Sequence, residues 1–278
     1  MCVLLYKQAR FVVKSRQYPL TIDEQFRGPP ESGHGGYVSG AIAARVHDLQ
    51  SVPGEDSGNN RDSAIEVTLR SPIPLNTPLL LVESEGEASD SDLSVWHDAL
   101  LIAEARQTSL SLSIPQPPSF AEVLSARENS PSFIPGINPL IEGGLGFHPI
   151  CFCCGADVPQ SQGLHVYAAP VPGFDGVAAA WRPDESFATT DGIIPEAIVW
   201  AALDCPGQIS YFATGLRTGL LGRMTGRQLK PVVAGQDSII VGWCLEVERR
   251  KHFAGTALFD QSGDLCAYSK QVWIGRVD

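Results

Sequence analysis

The residue with the most unusual setting for its chemistry is Asp204. It follows residues 197–203, an apolar segment that is hydrophobic on nearly all sides of a helix predicted from about Pro195 to Cys205. Pro206 and Gly207 are predicted to end that helix. A carboxylate at the C-terminal end of a buried helix is disfavoured by the helix dipole and by the loss of water. Asp204 therefore either takes part in chemistry or caps the turn at Pro206.

A second group of candidates precedes the first predicted helix, which runs from about Gly36 to Gln50. These residues are Gly33, His34, Gly35 and Gly36. Glycines before a helix let the backbone approach a ligand, and free N–H groups at the positive end of the helix dipole stabilise a developing oxyanion. A tight turn that packs the chain against the helix explains the same glycines equally well. His34 is also a candidate general base, because histidine titrates near neutral pH.

The cysteines suggest metal binding only weakly. There are seven, an odd number without the density of a disulfide scaffold, so we expect reduced thiols. Cys151 and Cys154 have the Cys-x-x-Cys spacing of zinc ligands, but a structural zinc site needs two more ligands at comparable spacing. Only the scattered His148, His165 and Cys205 are available. The sequence therefore predicts buried or turn cysteines, no metal and no cofactor.

The composition excludes several classes of protein. Of the 278 residues, 44% are hydrophobic, which is enough for one or two globular cores and rules out a disordered chain. The net charge of -11 opposes binding to nucleic acid or to an anionic membrane surface. No apolar run approaches the ~20 residues of a membrane span, and the first residues lack the charged region and cleavage site of a signal peptide. We expect a soluble, cytoplasmic protein.

The chain divides into two halves that repeat one plan. Pro, Ser and Gly break both periodicities between Ser113 and Gly146, so we place a linker at residues 116–144 between domains at 1–115 and 145–278. In each half a helix precedes strand-like runs in the same order. The runs are residues 67–75, 79–83 and 98–105 in the first half, and residues 227–233, 238–248 and 264–270 in the second.

This order predicts an α+β fold in which a curled antiparallel sheet wraps around a central helix. Such a unit has an open sheet edge. Two copies can pair these edges into one continuous sheet, which removes the liability to aggregate.

On these features the chain resembles the double hot-dog acyl-CoA thioesterases. Residues 33–41 resemble the Gly-rich entry to the hot-dog helix, and residues 151–155 with Gly163 and Leu164 resemble a segment that precedes the first strand in phenylacetate-type relatives. The resemblance implies two hot-dog domains in tandem and the hydrolysis of an acyl-CoA or a related acyl thioester.

The resemblance also implies roles for individual residues. Asp204 matches the aspartate that activates or orients the hydrolytic water, while Thr225 and Gln271 match the hydroxyl and amide residues that help to hold it. His34, Gly35 and Gly36 would bind the substrate, with the N–H groups near Gly35 and Gly36 receiving the carbonyl oxygen.

One departure from the family pattern limits the number of sites. The first helix carries no carboxylate at the position equivalent to Asp204, which holds Ala43 or His47 depending on the register. We therefore expect one working site and one decayed copy.

Two alternatives to hydrolysis stay open. Dehydration or hydration of a β-hydroxyacyl group by His34 and Asp204 is supported by Gln208, four residues beyond the aspartate, as in double hot-dog dehydratases. A non-catalytic protein that binds acyl-CoA is the other. The outer sheet edges also lead us to expect a homodimer.

Overall fold

The computed structural model of the protein describes residues 16–50, 63–83, 92–138 and 141–275. The prediction about the start of the chain concerns residues 1–15 and lies outside the described residues. Eleven strands of the described residues form one sheet, with β1 at Gln17–Thr21, β2 at Ala64–Leu69, β3 at Pro78–Glu83, β4 at Leu93–His97, β5 at Leu100–Thr108, β6 at Ala169–Pro170, β7 at Val177–Trp181, β8 at Leu220–Gln228, β9 at Ser238–Glu248, β10 at Lys251–Phe259 and β11 at Leu265–Ile274. Among the described residues, no helix is both long and apolar enough to cross a membrane.

The strand order is the same in the two halves of the sheet. It runs β1-β3-β4-β5-β2 in the first half and, read from the opposite edge, β7-β9-β10-β11-β8 in the second, with β6 added outside β7. The halves join through antiparallel pairing of β2 with β8, where Glu66 faces Thr225. The expected α+β layer and the continuous sheet are both present. The domain boundaries at 1–115 and 145–278 stay a prediction.

Two backbone hydrogen bonds fix which positions of the halves correspond. The N–H of Gly33 donates to Ile73 at 2.9 Å, and the N–H of Ile194 donates to Val232 at 2.8 Å. Each donor precedes the helix of its half, and each acceptor follows the first strand after that helix. Position 33 therefore corresponds to position 194, and later positions in the helices correspond at the same offset.

The helices α1 (Gly35–Gln50) and α3 (Glu196–Ala213) pack against each other inside the curl of the sheet. Gly36 and Gly40 allow this close approach. A Cβ atom at position 36 would lie 2.6 Å from the carbonyl oxygen of Trp200, and one at position 40 would lie 2.7 Å from the Cα of Ala197. Gly36 and Gly40 thus serve packing between the two helices, which the sequence did not predict.

The prediction that Pro206 and Gly207 end the second helix is wrong, because α3 continues to Ala213. Proline removes one backbone donor and usually breaks a helix. Here two residues of the sheet contact the helix around the proline. Nε2 of Gln271 donates to the carbonyl of Leu203 at 2.8 Å, and Gly242 leaves room for the backbone of Pro206, since a Cβ at position 242 would lie 2.4 Å from its carbonyl oxygen.

Several strand boundaries also differ from the prediction. The predicted run at 67–75 is β2 at Ala64–Leu69, and the run at 98–105 is β5 at Leu100–Thr108. The predicted strand at 227–233 is β8 at Leu220–Gln228, so it begins and ends earlier. Pro231 cannot donate to a ladder, which explains the earlier end. The glycines at 219 and 222 weaken the strand pattern at the true start.

The predicted linker contains regular structure. Helix α2 (Phe120–Ala126) begins at Ser119, whose side chain forms a capping box with Glu122. Val123 and Ala126 join a second apolar cluster on the face of the sheet opposite to α1 and α3, with Val241 and other residues of the second half. The segment between the halves therefore covers the outer face of the second half.

The outer edges of the sheet bear on the expected homodimer. The edge strands are β1, which contains Pro19, and β6, which has two residues and ends at Pro170. Proline and short length both oppose pairing at an edge. The homodimer stays a prediction, and it would have to use other surfaces.

Candidate functional site

A cavity of about 220 Å³ lies where the two halves meet. We call it the interhelix cavity. Residues 32–35 at the start of α1, residues 69–73 after β2 and residues 219–222 at the start of β8 contribute to its wall. Asp204, Cys205 and Gln208 of α3 complete it from the other helix, together with Cys151, His148 and the end of β11. Two predicted groups of residues, the acid and the Gly-rich segment, are therefore brought together.

Asp204 lies in the middle of α3 and is only 2% exposed. Because no turn begins at Pro206, the capping alternative is wrong. Oδ2 accepts a hydrogen bond from the N–H of Gly36 at 2.5 Å, while Oδ1 is buried without a partner in the described part of the chain. A buried carboxylate oxygen without a donor is costly unless a ligand or water supplies one. Oδ1 is therefore an unsatisfied acceptor of a residue that lines the cavity.

His34 connects Asp204 to the cysteines. Its Nδ1 lies 3.4 Å from Oδ2 of Asp204 and 3.3 Å from the N–H of Tyr37, and its Nε2 lies 3.5 Å from Sγ of Cys205. Nδ1 can accept from Tyr37 only when it is unprotonated, and it can donate to Asp204 only when it is protonated. The protonation state of His34 therefore decides which neighbour it binds.

Burial and charge shift both groups. Burial raises the pKa of Asp204 to about 6, against the opposing effects of the His34 charge and the Gly36 N–H. Burial by itself lowers the pKa of His34, but the charges of Asp204 and Cys151 outweigh it and leave that pKa well above its ordinary value. The two groups thus stabilise each other as a buried pair.

The first turn of α1 has one N–H group left for a ligand. The N–H of Gly36 binds Asp204, that of Tyr37 faces His34, and that of Val38 donates to the His34 carbonyl. The Gly36 N–H therefore positions the acid, which differs from the expectation that it receives a carbonyl oxygen. The N–H of Gly35 has no partner within the described residues, and Gly35 lines the cavity.

Comparison with known proteins gives the fold. No protein-family model matches the sequence, and no curated protein matches it. Among solved structures, the tesB protein of Mycobacterium avium subspecies paratuberculosis is similar over 95% of this chain and 96% of its own, with 11% identity and a TM-score of 0.58. A candidate thioesterase from Novosphingobium aromaticivorans is similar over 94% and 96%, with 17% identity and a TM-score of 0.56. A hot-dog protein of unknown function from Alicyclobacillus acidocaldarius is similar over 95% and 94%, with 13% identity and a TM-score of 0.52.

The chain has the hot-dog fold. The name suits the observed arrangement, in which each half of the sheet wraps one long helix. At these identities the similarity concerns the fold, so the chemistry of the site has to be argued from its own residues.

Thr225 and Gln271 are not among the residues that line the interhelix cavity. Gln271 is fully buried on β11, where its Nε2 donates to Leu203 and its Oε1 accepts from Nε1 of Trp273 at 2.9 Å. Its amide is thus used to hold α3 on the sheet. Thr225 lies on β8 in the ladder between β2 and β11. The prediction that these two residues hold the water stays a prediction, without a contact to Asp204.

At the equivalent place in the other half of the sheet, neither His34 nor Asp204 has a polar counterpart. Ten residues beyond the corresponding positions 33 and 194, the helices carry Ala43 and Asp204. By the same offset, His34 corresponds to Pro195 and Gly36 to Ala197. The register therefore selects Ala43, one of the two residues that the sequence left open.

The sequence named Cys151, Cys154 and Cys205 as available metal ligands but did not show that they lie together, with Cys153, beside the interhelix cavity. We call Cys151, Cys153, Cys154 and Cys205, together with His34, the cysteine cluster. Two groups within it, His34 with Cys153 and Cys205, and Cys151 with Cys154 and Cys205, have donor atoms within 4.8 Å of one another. His148 and His165, which the sequence offered as ligands, bind Gln208 and Tyr167 instead. The spacing rule failed because it looked for two close pairs, whereas Cys205 is supplied by a helix 51 residues beyond Cys154.

The pKa values of two thiols in the cluster are shifted in opposite directions. Burial alone would raise the pKa of the Cys151 thiol, but hydrogen bonds with Cys154 and Cys205 and the charge of His34 hold it well below its ordinary value. The pKa of Cys205 is raised well above its ordinary value, chiefly by its hydrogen bond with Cys151. Sγ of Cys151 and Sγ of Cys205 are 3.7 Å apart.

Proposed function

We propose that this protein hydrolyses an acyl-CoA or a related acyl thioester at the interhelix cavity. The observation that carries the proposal is Oδ1 of Asp204, a buried carboxylate oxygen that has no partner among the described residues and belongs to a residue lining the cavity. The names of two similar structures, a tesB protein and a candidate thioesterase, agree with this chemistry. We further propose that residues 1–115 and 145–278 are two hot-dog domains in tandem.

In the proposed reaction, a water molecule bound to Oδ1 attacks the thioester carbonyl carbon while Asp204 takes its proton. The tetrahedral intermediate collapses, the bond from carbon to sulfur breaks, and the coenzyme A thiolate leaves with the proton that Asp204 returns. The products are a carboxylic acid and free coenzyme A. Gly36 and His34 hold Asp204 in place through the contacts at its Oδ2.

The start of α1 stabilises the charge that develops on the carbonyl oxygen. Gly35 lines the cavity at the first turn of α1, and an N–H donor at the positive end of a helix dipole stabilises an oxyanion. Leu69, Ile73 and Leu221 give the wall apolar surface suited to an acyl chain. The half-exposed side chain of Arg70 also lies at the wall, where its Nε is paired with Oε2 of Glu104 at 2.7 Å.

Replacing the acid tests the proposal. We expect Asp204→Asn to lower the rate of acyl-CoA hydrolysis about 100- to 10,000-fold, because the amide cannot accept the proton. The measurement is release of coenzyme A, detected with a thiol-reactive dye, across acyl chains of increasing length. Asp98→Asn is the matched control, since Asp98 is 95% exposed in a turn with a φ of 52° that asparagine also adopts.

Two results would contradict the proposal. One is an Asp204→Asn protein that hydrolyses at the rate of the Asp98→Asn control. The other is binding of acyl-CoA by calorimetry without turnover of any chain length, which would support the non-catalytic alternative.

Hydration or dehydration is the second candidate function. It is favoured by the contact between His34 and Asp204, which are 3.4 Å apart and both line the cavity. The discriminating experiment follows the ultraviolet absorbance of an enoyl-CoA. Loss of this absorbance without release of thiol, abolished by His34→Gln, would favour hydration over hydrolysis.

A further inference from the structure

The cysteine cluster contains metal-ligating side chains whose donor atoms lie close together, and the proposed reaction does not use its cysteines. All four cysteines are buried, with exposures of 4% or less, and His34 is 2% exposed. They come from three parts of the chain: the segment before α1, the segment at residues 151–154, and the middle of α3. Burying four thiols against one imidazole by hydrophobic packing alone would not require their donor atoms to converge.

We propose that the cysteine cluster binds one zinc ion through the thiolates of Cys151, Cys154 and Cys205, with Nε2 of His34 as the fourth ligand. Three soft thiolates and an imidazole form a common structural zinc set. The site is closed by protein ligands, so the ion has a structural role and is separate from the water on Asp204.

The distances around Cys205 match a tetrahedral zinc site. With bonds of about 2.3 Å to sulfur and about 2.0 Å to nitrogen, two sulfur ligands lie about 3.8 Å apart and a sulfur and a nitrogen about 3.5 Å apart. The two Sγ atoms of Cys151 and Cys205 are 3.7 Å apart, and Nε2 of His34 is 3.5 Å from Sγ of Cys205. A disulfide has its sulfurs at about 2.05 Å, so the described cysteines form thiols and not a bridge.

The backbone at Cys151 and Cys154, the first two ligands, forms a tight turn. Cys151 and Cys154 have the Cys-x-x-Cys spacing, and Gly155 follows them. The N–H of Gly155 donates to the carbonyl of Cys151 at 2.8 Å, and a Cβ at position 155 would lie 2.5 Å from that oxygen. The turn is therefore tight enough to require glycine, and it directs both cysteines to the same place.

Charge balance favours His34 over Cys153 as the fourth ligand. Zinc with three thiolates and neutral imidazole carries one negative charge, whereas four thiolates would leave two, beside the buried carboxylate of Asp204. With Nε2 on the metal, Nδ1 of His34 carries the proton and donates to Asp204. This gives the order carboxylate, histidine, metal that is common around zinc.

The first experiment measures the metal in the whole protein. The full chain is produced in zinc-supplemented medium, purified without chelator and analysed by mass spectrometry for zinc. We expect about one zinc per chain and a fall in the unfolding temperature when a strong chelator removes it, because binding energy contributes directly to folding. This measurement does not depend on any variant folding.

The second experiment identifies the ligands. We expect Cys154→Ala and Cys205→Ser to lose at least nine tenths of the zinc. Cys244→Ser, the control outside the cluster on β9, should keep it, as should Cys153→Ala. Circular dichroism checks the fold of each variant. Cobalt added to the metal-free protein should give the absorption of tetrahedral cobalt with three thiolates, and His34→Gln should change that spectrum.

Three results would overturn the proposal. Wild-type protein that carries less than a tenth of a zinc per chain, and that binds neither zinc nor cobalt in titration, would exclude the site. Pairwise loss of titratable thiols in the denatured protein would show disulfides instead. Loss of zinc from Cys153→Ala, with retention in His34→Gln, would overturn the assignment of the fourth ligand. All three readouts are independent of hydrolysis, so failure here is distinguishable from failure of the proposed function.

Discussion

The two places related by the repeat share a strand order and differ in their side chains. We call the place with His34, Gly36 and Asp204, at the interhelix cavity, the working place, in line with the proposed function. We call the place with Pro195, Ala197 and Ala43 at the corresponding positions the silent place. A histidine and a carboxylate are thus present at the first place and absent from the corresponding positions of the second.

The polar pair nearest to the silent place is of another kind. Nδ1 of His47 lies 3.1 Å from Oε2 of Glu196, and these positions correspond to Gln208 and Gly35 of the working place. This hydrogen-bonded pair includes Glu196, at the position where the other half has Gly35 in the cavity wall. The comparison teaches that the fold places a helix N-terminus at each place. Only at the start of α1 does a glycine, Gly36, let a carboxylate of the other helix approach.

The largest effect is expected from placing a carboxylate in the silent place. Ala43 is fully buried, and no histidine or glycine faces it from the corresponding positions 195 and 197. Ala43→Asp should therefore lower the free energy of unfolding by about 3 to 5 kcal/mol, the cost of an uncompensated buried charge. Urea denaturation measures the loss.

The matched control is Ala43→Asn, which has nearly the same shape without the charge and should cost about 1 to 3 kcal/mol. The double variant Ala43→Asp with Asp204→Asn should show no acyl-CoA hydrolysis above that of Asp204→Asn. Recovered hydrolysis in the double variant would mean that the two places are equivalent and that the comparison fails.

A smaller effect is expected from exchanging the corresponding residues Gly36 and Ala197. A Cβ at position 36 would lie 2.6 Å from the Cβ of Asp204, so Gly36→Ala has to push the helices apart. We expect a loss of about 1 to 3 kcal/mol in stability and a fall of roughly 10- to 100-fold in hydrolysis as the carboxylate moves.

Ala197→Gly is the paired variant in the other half. It removes a methyl group from the first turn of α3 and should cost no more than about 1 kcal/mol, with hydrolysis unchanged. Equal losses of activity from the two variants would show that Gly36 acts through general helix packing and not through Asp204.

Local pattern predicted those parts of the fold that depend on local chemistry. The helical spacing before Gln50 gave α1 within a residue of its start, and the apolar run at 238–248 matches β9. Asp204 was identified because a carboxylate in an apolar helix is unusual in any fold. These features needed no knowledge of distant contacts.

Features that depend on contacts between distant residues were missed or misplaced. The sequence predicts a helix end at Pro206 because the effect of proline on an isolated helix is strong, and it does not show that Gln271 and Gly242 of the sheet contact this turn. The cysteine cluster was missed for the same reason. Its key member, Cys205, is close to Cys151 only after the two helices and the preceding segment have packed.

The smallest effect is expected from the pair of Glu196 and His47 near the silent place. Glu196 lies in the first turn of α3, where the helix dipole stabilises its negative charge, and it binds His47 and Nε1 of Trp200. Glu196→Gln keeps the shape and the acceptor for Trp200 but removes the charge, so it should cost about 0.5 to 1 kcal/mol. Because the lost term is electrostatic, the difference in urea midpoint from the wild type should shrink at high salt. Hydrolysis should equal that of the Asp98→Asn control. A fall in hydrolysis with stability unchanged would instead mean that this pair acts on the working site across α1 and α3, and that the silent place is coupled to it.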